Sequence, residues 1–163
     1  MDKIIRYLKK YYSDEGRAKR WFLFRNIFIK SPKSIVGLCA FLYVKRLEEK
    51  SCSFIGTTLH SCAHFESQPY FAHHGHNIHI NESARFGINA YIHHNVTVGR
   101  TKDGVGPIIG NNVSIGTGAI ILDDAVIGNN VKIGANAIVT KVIPDNCTVI
   151  GVNNIINHKN YKQ

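Results

Sequence analysis

The sequence predicts a mainly β fold: a parallel β-helix of triangular section, preceded by a short α-helical region. Three observations predict it. Bulky apolar residues recur every sixth position at Ile80, Phe86, Ile92 and Val98, then at Ile109, Ile115, Ile121, Ile127, Ile133 and Val139. Four places after most of them stands a small or branched apolar residue, among them Ala84, Ala90, Val96, Val113, Ala119, Ala125, Val131 and Ala137. Three places after them the slot is usually Asn, Asp or Gly, as at Asn89, Asn95, Asn112, Gly118, Asp124, Asn130 and Asn136. These residues tolerate a left-handed backbone, so the slot reads as a recurring corner between short, β-branched strands. Units of fixed period that bury their apolar faces only against the next coil define a solenoid. An amphipathic helix would need apolar steps of three and four throughout, and the many Asn and Gly residues would destabilise it.

In chain order, the 163 residues suit one domain with a solid core. Met1–Lys10 is charged and lacks an apolar centre, so no secretory signal is expected, and the apolar run Ile35–Val44 is too short to span a bilayer. The four cysteines (Cys39, Cys52, Cys62, Cys147) show no paired spacing. They read as reduced, small buried hydrophobes in a cytoplasmic protein. Residues 1–30 carry nine Lys/Arg against three acids, within a formal net charge of +9. Interleaved with Trp21, Phe22, Phe24 and Phe28, this stretch is a candidate for peripheral contact with an anionic membrane. No nucleic-acid-binding module accompanies it. Ser31-Pro32 reads as a helix start, with Ser31 as cap, and Ile35, Leu38, Phe41, Leu42 and Val44 as one apolar face. Residues 1–75 therefore read as a helical cap region that leads into the coils over 51–75. The β-helix follows over 76–152, and 153–163 form a C-terminal tail.

Between Val98 and Ile109 lie eleven steps where six would keep phase, so residues 100–108 are thrown out as a loop. Loops on rigid scaffolds commonly carry function, and Lys102 and Asp103 are its polar candidates. Histidines concentrate just before it, at His73, His74, His76 and His79 and at His93-His94. No histidine falls between 95 and 157, so later coils supply no imidazole and no metal site is expected.

The run Ile109-Ile-Gly-Asn-Asn-Val, continued by Ile133-Gly-Ala-Asn-Ala-Ile-Val-Thr-Lys-Val-Ile-Pro-Asp-Asn-Cys147, resembles the hexapeptide-repeat acyltransferases. Within that family it is most similar to the serine-acetyltransferase-like branch, which includes O-acetyltransferases of bacterial surface polysaccharides. The resemblance covers roughly residues 75–152. It implies a left-handed coil, acetyl-CoA as co-substrate, a homotrimer with shared sites, and His94 as the catalytic base. An imidazole suits that work because it titrates near neutrality and can take the proton of an attacking hydroxyl. His93 and His79 then fall to the acceptor side. The resemblance also places acetyl-CoA along Gly116, Gly118, Ala119, Ala135, Thr140 and Lys141, where small residues let a pantetheine arm approach the backbone.

Serine acetyltransferases carry a second histidine, preceded by arginine, before the loop's proline. Here the residues are Val105-Gly106-Pro107. The resemblance thus points to a sugar hydroxyl as acceptor. Serine O-acetylation and a non-catalytic scaffold are the alternatives.

Overall fold

A computed structural model of the chain describes residues 14–55, 58–59, 63–100 and 105–157. Lys102, Asp103, Cys62 and the first 13 residues lie outside the described residues. Two helices come first, α1 (Asp14–Lys30) and α2 (Ile35–Ile55). The first coil consists of β1 (Thr58–Leu59), β2 (His64–Phe65) and β3 (Tyr70–Phe71), followed by a 3-10 turn over Ala72–Gly75. The second holds β4 (His79–Ile80), β5 (Arg85–Phe86) and β6 (Tyr91–Ile92), and the third β7 (Thr97–Gly99), β8 (Ile108–Ile109) and β9 (Ser114–Ile115). Next come β10 (Ile120–Leu122), β11 (Val126–Ile127) and β12 (Lys132–Ile133), then β13 (Ile138–Val139) and β14 (Cys147–Ile150). Strand β15 (Asn154–Asn157) turns back antiparallel to β14.

Through β13, strands three apart pair in parallel, then β14 pairs in parallel with β12 and β15 returns on β14, giving three sheets that are the sides of the triangle: β1-β4-β7-β10-β13, β11-β8-β5-β2 and β15-β14-β12-β9-β6-β3. The six-residue period is thus a β-solenoid, as the sequence predicts. Coil pairing begins at Thr58, earlier than the boundary expected at 76, because Phe65 and Phe71 already occupy the inward slots opposite Phe86 and Ile92. The inward residue of each unit is buried: Ile80, Phe86, Ile92, Val98, Ile109, Ile115, Ile121, Ile127, Ile133 and Val139 form one core with the interleaved alanines and valines.

The corners follow the Asn slot except in the Ile121 unit, where Asp123 (φ 58°), and not the expected Asp124, takes the left-handed backbone. Asn89, Asn95, Asn112, Asn130 and Asn136 all have positive φ, between 55° and 59°. At one corner their amides form a ladder, Asn89 Nδ2 to Asn112 Oδ1 (3.0 Å), Asn112 to Asn130 (3.1 Å) and Asn130 to Asn146 (3.2 Å). An amide that both donates and accepts can link coil to coil where the backbone has turned away from its sheet.

Three expectations about the flanking elements change. Ser31 does not cap α2. Its N–H closes α1 on the Ile27 carbonyl (3.1 Å), whereas Ser34 Oγ accepts from the Gly37 N–H (2.9 Å) and is the cap. The apolar face expected from Ile35, Leu38 and Leu42 is exposed, at 82%, 55% and 58%. The buried positions are Gly37, Ala40 and Val44, because α1 and the turn come too close for larger residues. A Cβ on Gly37 would collide with the Ser31 carbonyl oxygen. Cys39 is exposed while Cys147 is buried, so only the latter fits the reading as a small hydrophobe. Arg25, 1% exposed, donates from its guanidinium to the Ala63 carbonyl and ties α1 to the first coil. No described helix is long and apolar enough to cross a membrane.

Candidate active site

The site is built by an insertion. From Phe71 to Ile80 is nine residues where six would keep phase, and the extra length is taken up by the four-residue 3-10 turn Ala72–Gly75. This turn swings His73, itself at φ 50°, out of the coil at the corner between β3 and β4. One coil further on, the corner between β6 and β7 carries His93 and His94. The register Tyr70↔Tyr91 and Phe71↔Ile92 stacks the two corners directly. The His73 ring lies edge-on to His94 with centroids 4.9 Å apart, and 6.2 Å from His93.

Two histidine runs that the sequence reading treats separately are thus one cluster. The missing signal was the three-residue insertion, which makes this coil step 21 residues and brings position 73 beneath position 94. The ligand nitrogens of His73, His93 and His94 all lie within 4.8 Å of one another, a set that could also gather on a divalent cation. His93 and His94 are half-buried. Nδ1 of His94 is buried with no hydrogen-bond partner among the described residues. A buried polar nitrogen without a partner costs about 1–3 kcal/mol, and a corner that keeps one is poised to bind something.

His79 opens the side of the triangle that starts at this corner. It lies on β4, with Nε2 3.1 Å from Asn77 Oδ1, in an open hollow with Asn81, Thr97, Gly99 and Arg100. The hollow separates the histidine corner from the base of the loop. That base is pinned by Arg100–Glu82 (3.7 Å), by the Val105 N–H to Asp124 Oδ1 (2.8 Å), and by Gly106, where a Cβ would strike Ser83.

Of the residues expected along the co-substrate, Gly116, Gly118, Ala119 and Ala135 lie in the coils above the histidine corner, whereas Thr140 and Lys141 follow β13 and stand at the other end of that side, above Leu122 and Gly99. Gly116 allows close approach of coils, since a Cβ there would sit 2.7 Å from the Ala135 nitrogen. Gly118, at φ 71°, donates its N–H to the His94 carbonyl (3.2 Å), so it adjoins the cluster. Ala119 is fully buried, its side chain part of the core. Ala135 and Lys141 are exposed. Thr140 is held by Asn153, which accepts from its N–H (3.0 Å) and donates to its Oγ1 (2.9 Å).

The model of the bacterial transferase hexapeptide (six repeats) matches residues 106–141, within the stacked six-residue coils. Particular likenesses sharpen this. Over 81 residues the chain is 43% identical to an Escherichia coli (strain K12) protein named as a colanic acid biosynthesis acetyltransferase, WcaB, covering 48% of this chain and 50% of that protein. Among solved structures, the Neisseria gonorrhoeae serine acetyltransferase (CysE) superposes with a TM-score of 0.71 at 26% identity, covering 88% of this chain and 53% of that one. A Brucella abortus serine acetyltransferase in complex with Coenzyme A gives 0.64 at 28%, covering 80% and 54%. The chain thus spans about half the length of the proteins it matches.

Proposed function

We propose that the chain is an acetyl-CoA-dependent O-acetyltransferase whose acceptor is a sugar hydroxyl, with its general base in the His73/His93/His94 cluster and His94 as that base. One observation carries the reading: the insertion and the coil register converge three imidazoles on a corner where His94 Nδ1 is buried and unpartnered among the described residues. A scaffold gains nothing from such a nitrogen, whereas acyl transfer needs a base for the attacking hydroxyl. The same imidazole then returns its proton to the leaving thiolate. The likeness to a polysaccharide acetyltransferase and to a Coenzyme A complex supports sugar and acetyl-CoA as the two substrates. Val105-Gly106-Pro107 stand where serine acetyltransferases carry the arginine and histidine before the loop's proline, which favours a sugar hydroxyl over serine.

Self-association into a trimer is part of the proposal. Ile108, Val126 and Val142 stand one above another on one side of the triangle, 45%, 40% and 65% exposed, a stripe suited to burial against another copy. Peripheral membrane contact is also proposed. Residues 16–46 carry eight Lys/Arg and no acid; Arg20 and Arg25 are buried, which leaves at most six for the surface, beside exposed Ile29, Ile35, Val36, Leu38 and Leu42. Sedimentation with phosphatidylglycerol vesicles, and not with phosphatidylcholine ones, is the expected result.

The decisive experiment measures CoA-thiol release from acetyl-CoA with sugar acceptors and L-serine, for the wild type and for alanine variants of His73, His74, His93 and His94. Replacing the base should lower kcat by about 10²–10⁴ while the protein stays folded. Full activity in His94→Ala with loss in His73→Ala or His74→Ala would move the base to the inserted turn. No release with any acceptor would leave the scaffold alternative.

A further inference from the structure

Tyr70 and Tyr91 form an exposed aromatic step on the side of the triangle that leads into the histidine corner. They are register partners on β3 and β6, stacked with centroids 4.7 Å apart and planes 19° from parallel, and 57% and 39% exposed. Along the same row the next outward residues are Ser114, Lys132 and Thr148, all polar. Tyr70 covers one face of the Tyr91 ring. The other face looks toward Ser114, whose side chain is too small to cover it, and the next long side chain is Lys132. Two strand spacings, roughly 9.5 Å, separate Tyr91 from Lys132. A flat ring needs about 3.5–4.0 Å of carbon–carbon contact on each side, so the gap fits one.

We propose that this gap is a sugar subsite, in which the apolar C–H face of a pyranose lies on Tyr91 and its hydroxyl rim meets Ser114 and Lys132. Sugars present an apolar face and a polar rim together, and an exposed aromatic ring bordered by hydroxyl and ammonium groups complements both. The subsite joins the histidine cluster without a break: the Tyr91 ring is 5.1 Å from His93, and His93 is 6.2 Å from His73. A glycan with one unit on Tyr91 would therefore present its neighbouring unit to the histidines and the hollow beside His79. The acceptor is then an oligosaccharide or polymer, and a free monosaccharide, spanning only part of the site, is a poor substitute. In its kinetic consequence the inference rests on the acetyltransferase reading; the binding itself does not.

The test pairs cellotetraose, chitotetraose and tetragalacturonate with their monosaccharides. Saturation-transfer NMR reads binding and CoA-thiol release reads turnover, for the wild type, Tyr91→Ala and Tyr91→Phe. The wild type should bind at least one tetrasaccharide at least tenfold more tightly than its monosaccharide. Tyr91→Ala should erase that advantage through KM, leaving kcat within about twofold, and Tyr91→Phe should restore it with an unchanged melting temperature. Equal KM for the tetrasaccharide in the wild type and Tyr91→Ala would overturn the subsite while the transferase reading stands. Tyrosine-dependent tetrasaccharide binding without acyl transfer would uphold the subsite and sink the transferase reading. Binding of no tetrasaccharide by the wild type would overturn the proposal.

Discussion

Gly118 offers a substitution that separates stability from function. Four residues stack in its corner column: Asn77, Asn95, Gly118 and Asn136, each three places before an inward residue of the first sheet. Asn77 donates its amide to Asn95 (3.1 Å), and there the ladder stops, because Gly118 has no side chain. The neighbouring column, Asn89-Asn112-Asn130-Asn146, shows the unbroken form. At Gly118 the Asn136 carboxamide leans into the vacant space, so a Cβ there displaces only the end of a flexible side chain.

Gly118→Asn should therefore complete the column. Asparagine already occupies the left-handed region at five or more corners, so the backbone cost is small. The unfolded chain loses freedom worth about 0.4–1 kcal/mol. Two exposed amide bonds add about 0.5–1.5 kcal/mol each at most. Partial cancellation by solvent and side-chain ordering leaves a gain of about 1–2 kcal/mol. That raises the melting temperature by about 2–8 °C for a chain of this size. Gly118→Ala keeps the left-handed cost of about 1–2 kcal/mol without the ladder, and should be destabilised by roughly 0.5–1 kcal/mol after the entropy gain. Urea unfolding of the two variants beside the wild type reads the difference of about 2 kcal/mol. An asparagine variant no more stable than the alanine one would refute the ladder argument. Function should move the opposite way. The notch beside His94 would be filled, and KM for acetyl-CoA should rise about tenfold in Gly118→Asn. An unchanged KM in the stabilised variant would remove Gly118 from the co-substrate groove.

Three further outcomes are expected. Ile115 is fully buried in register between Ile92 and Ile133, so Ile115→Ala should cost about 3–4 kcal/mol in urea unfolding, from three lost carbons and the residual cavity. Ile108→Ala, at a half-exposed outward position, should cost less than about 1 kcal/mol in the monomer. Arg25→Ala leaves the Ala63 carbonyl without its guanidinium donor and should cost about 2–4 kcal/mol, with early loss of amide protection in α1 by hydrogen exchange. Chelation by EDTA should leave acyl transfer intact, and added zinc should inhibit it by occupying the imidazoles, an inhibition lost in His73→Ala.

The coils were legible because their rule is local. A six-residue period with an apolar opener and an Asn/Gly corner fixes each strand's inward residue and each turn's backbone within the unit itself, and stacking merely repeats it. That is why Ile109 through Val139 fell into register as read, and why the eleven-residue step after Val98 could be recognised as a loop. The flanking helices were read less well. Of the face read as Ile35, Leu38, Phe41, Leu42 and Val44, only Val44 is buried, and Gly37 and Ala40 join it, because how closely two helices approach depends on what lies across from them.

For the site, the sequence by itself determined that no histidine lies between 95 and 157, and that His93-His94 sit just before the loop. Only the tertiary structure decided that His73 joins them and that Tyr91 keeps one ring face open above Ser114. Proximity between residues 21 or 23 positions apart depends on how much chain each coil consumes. One three-residue insertion changes that length, and no local preference of the residues it brings together records it.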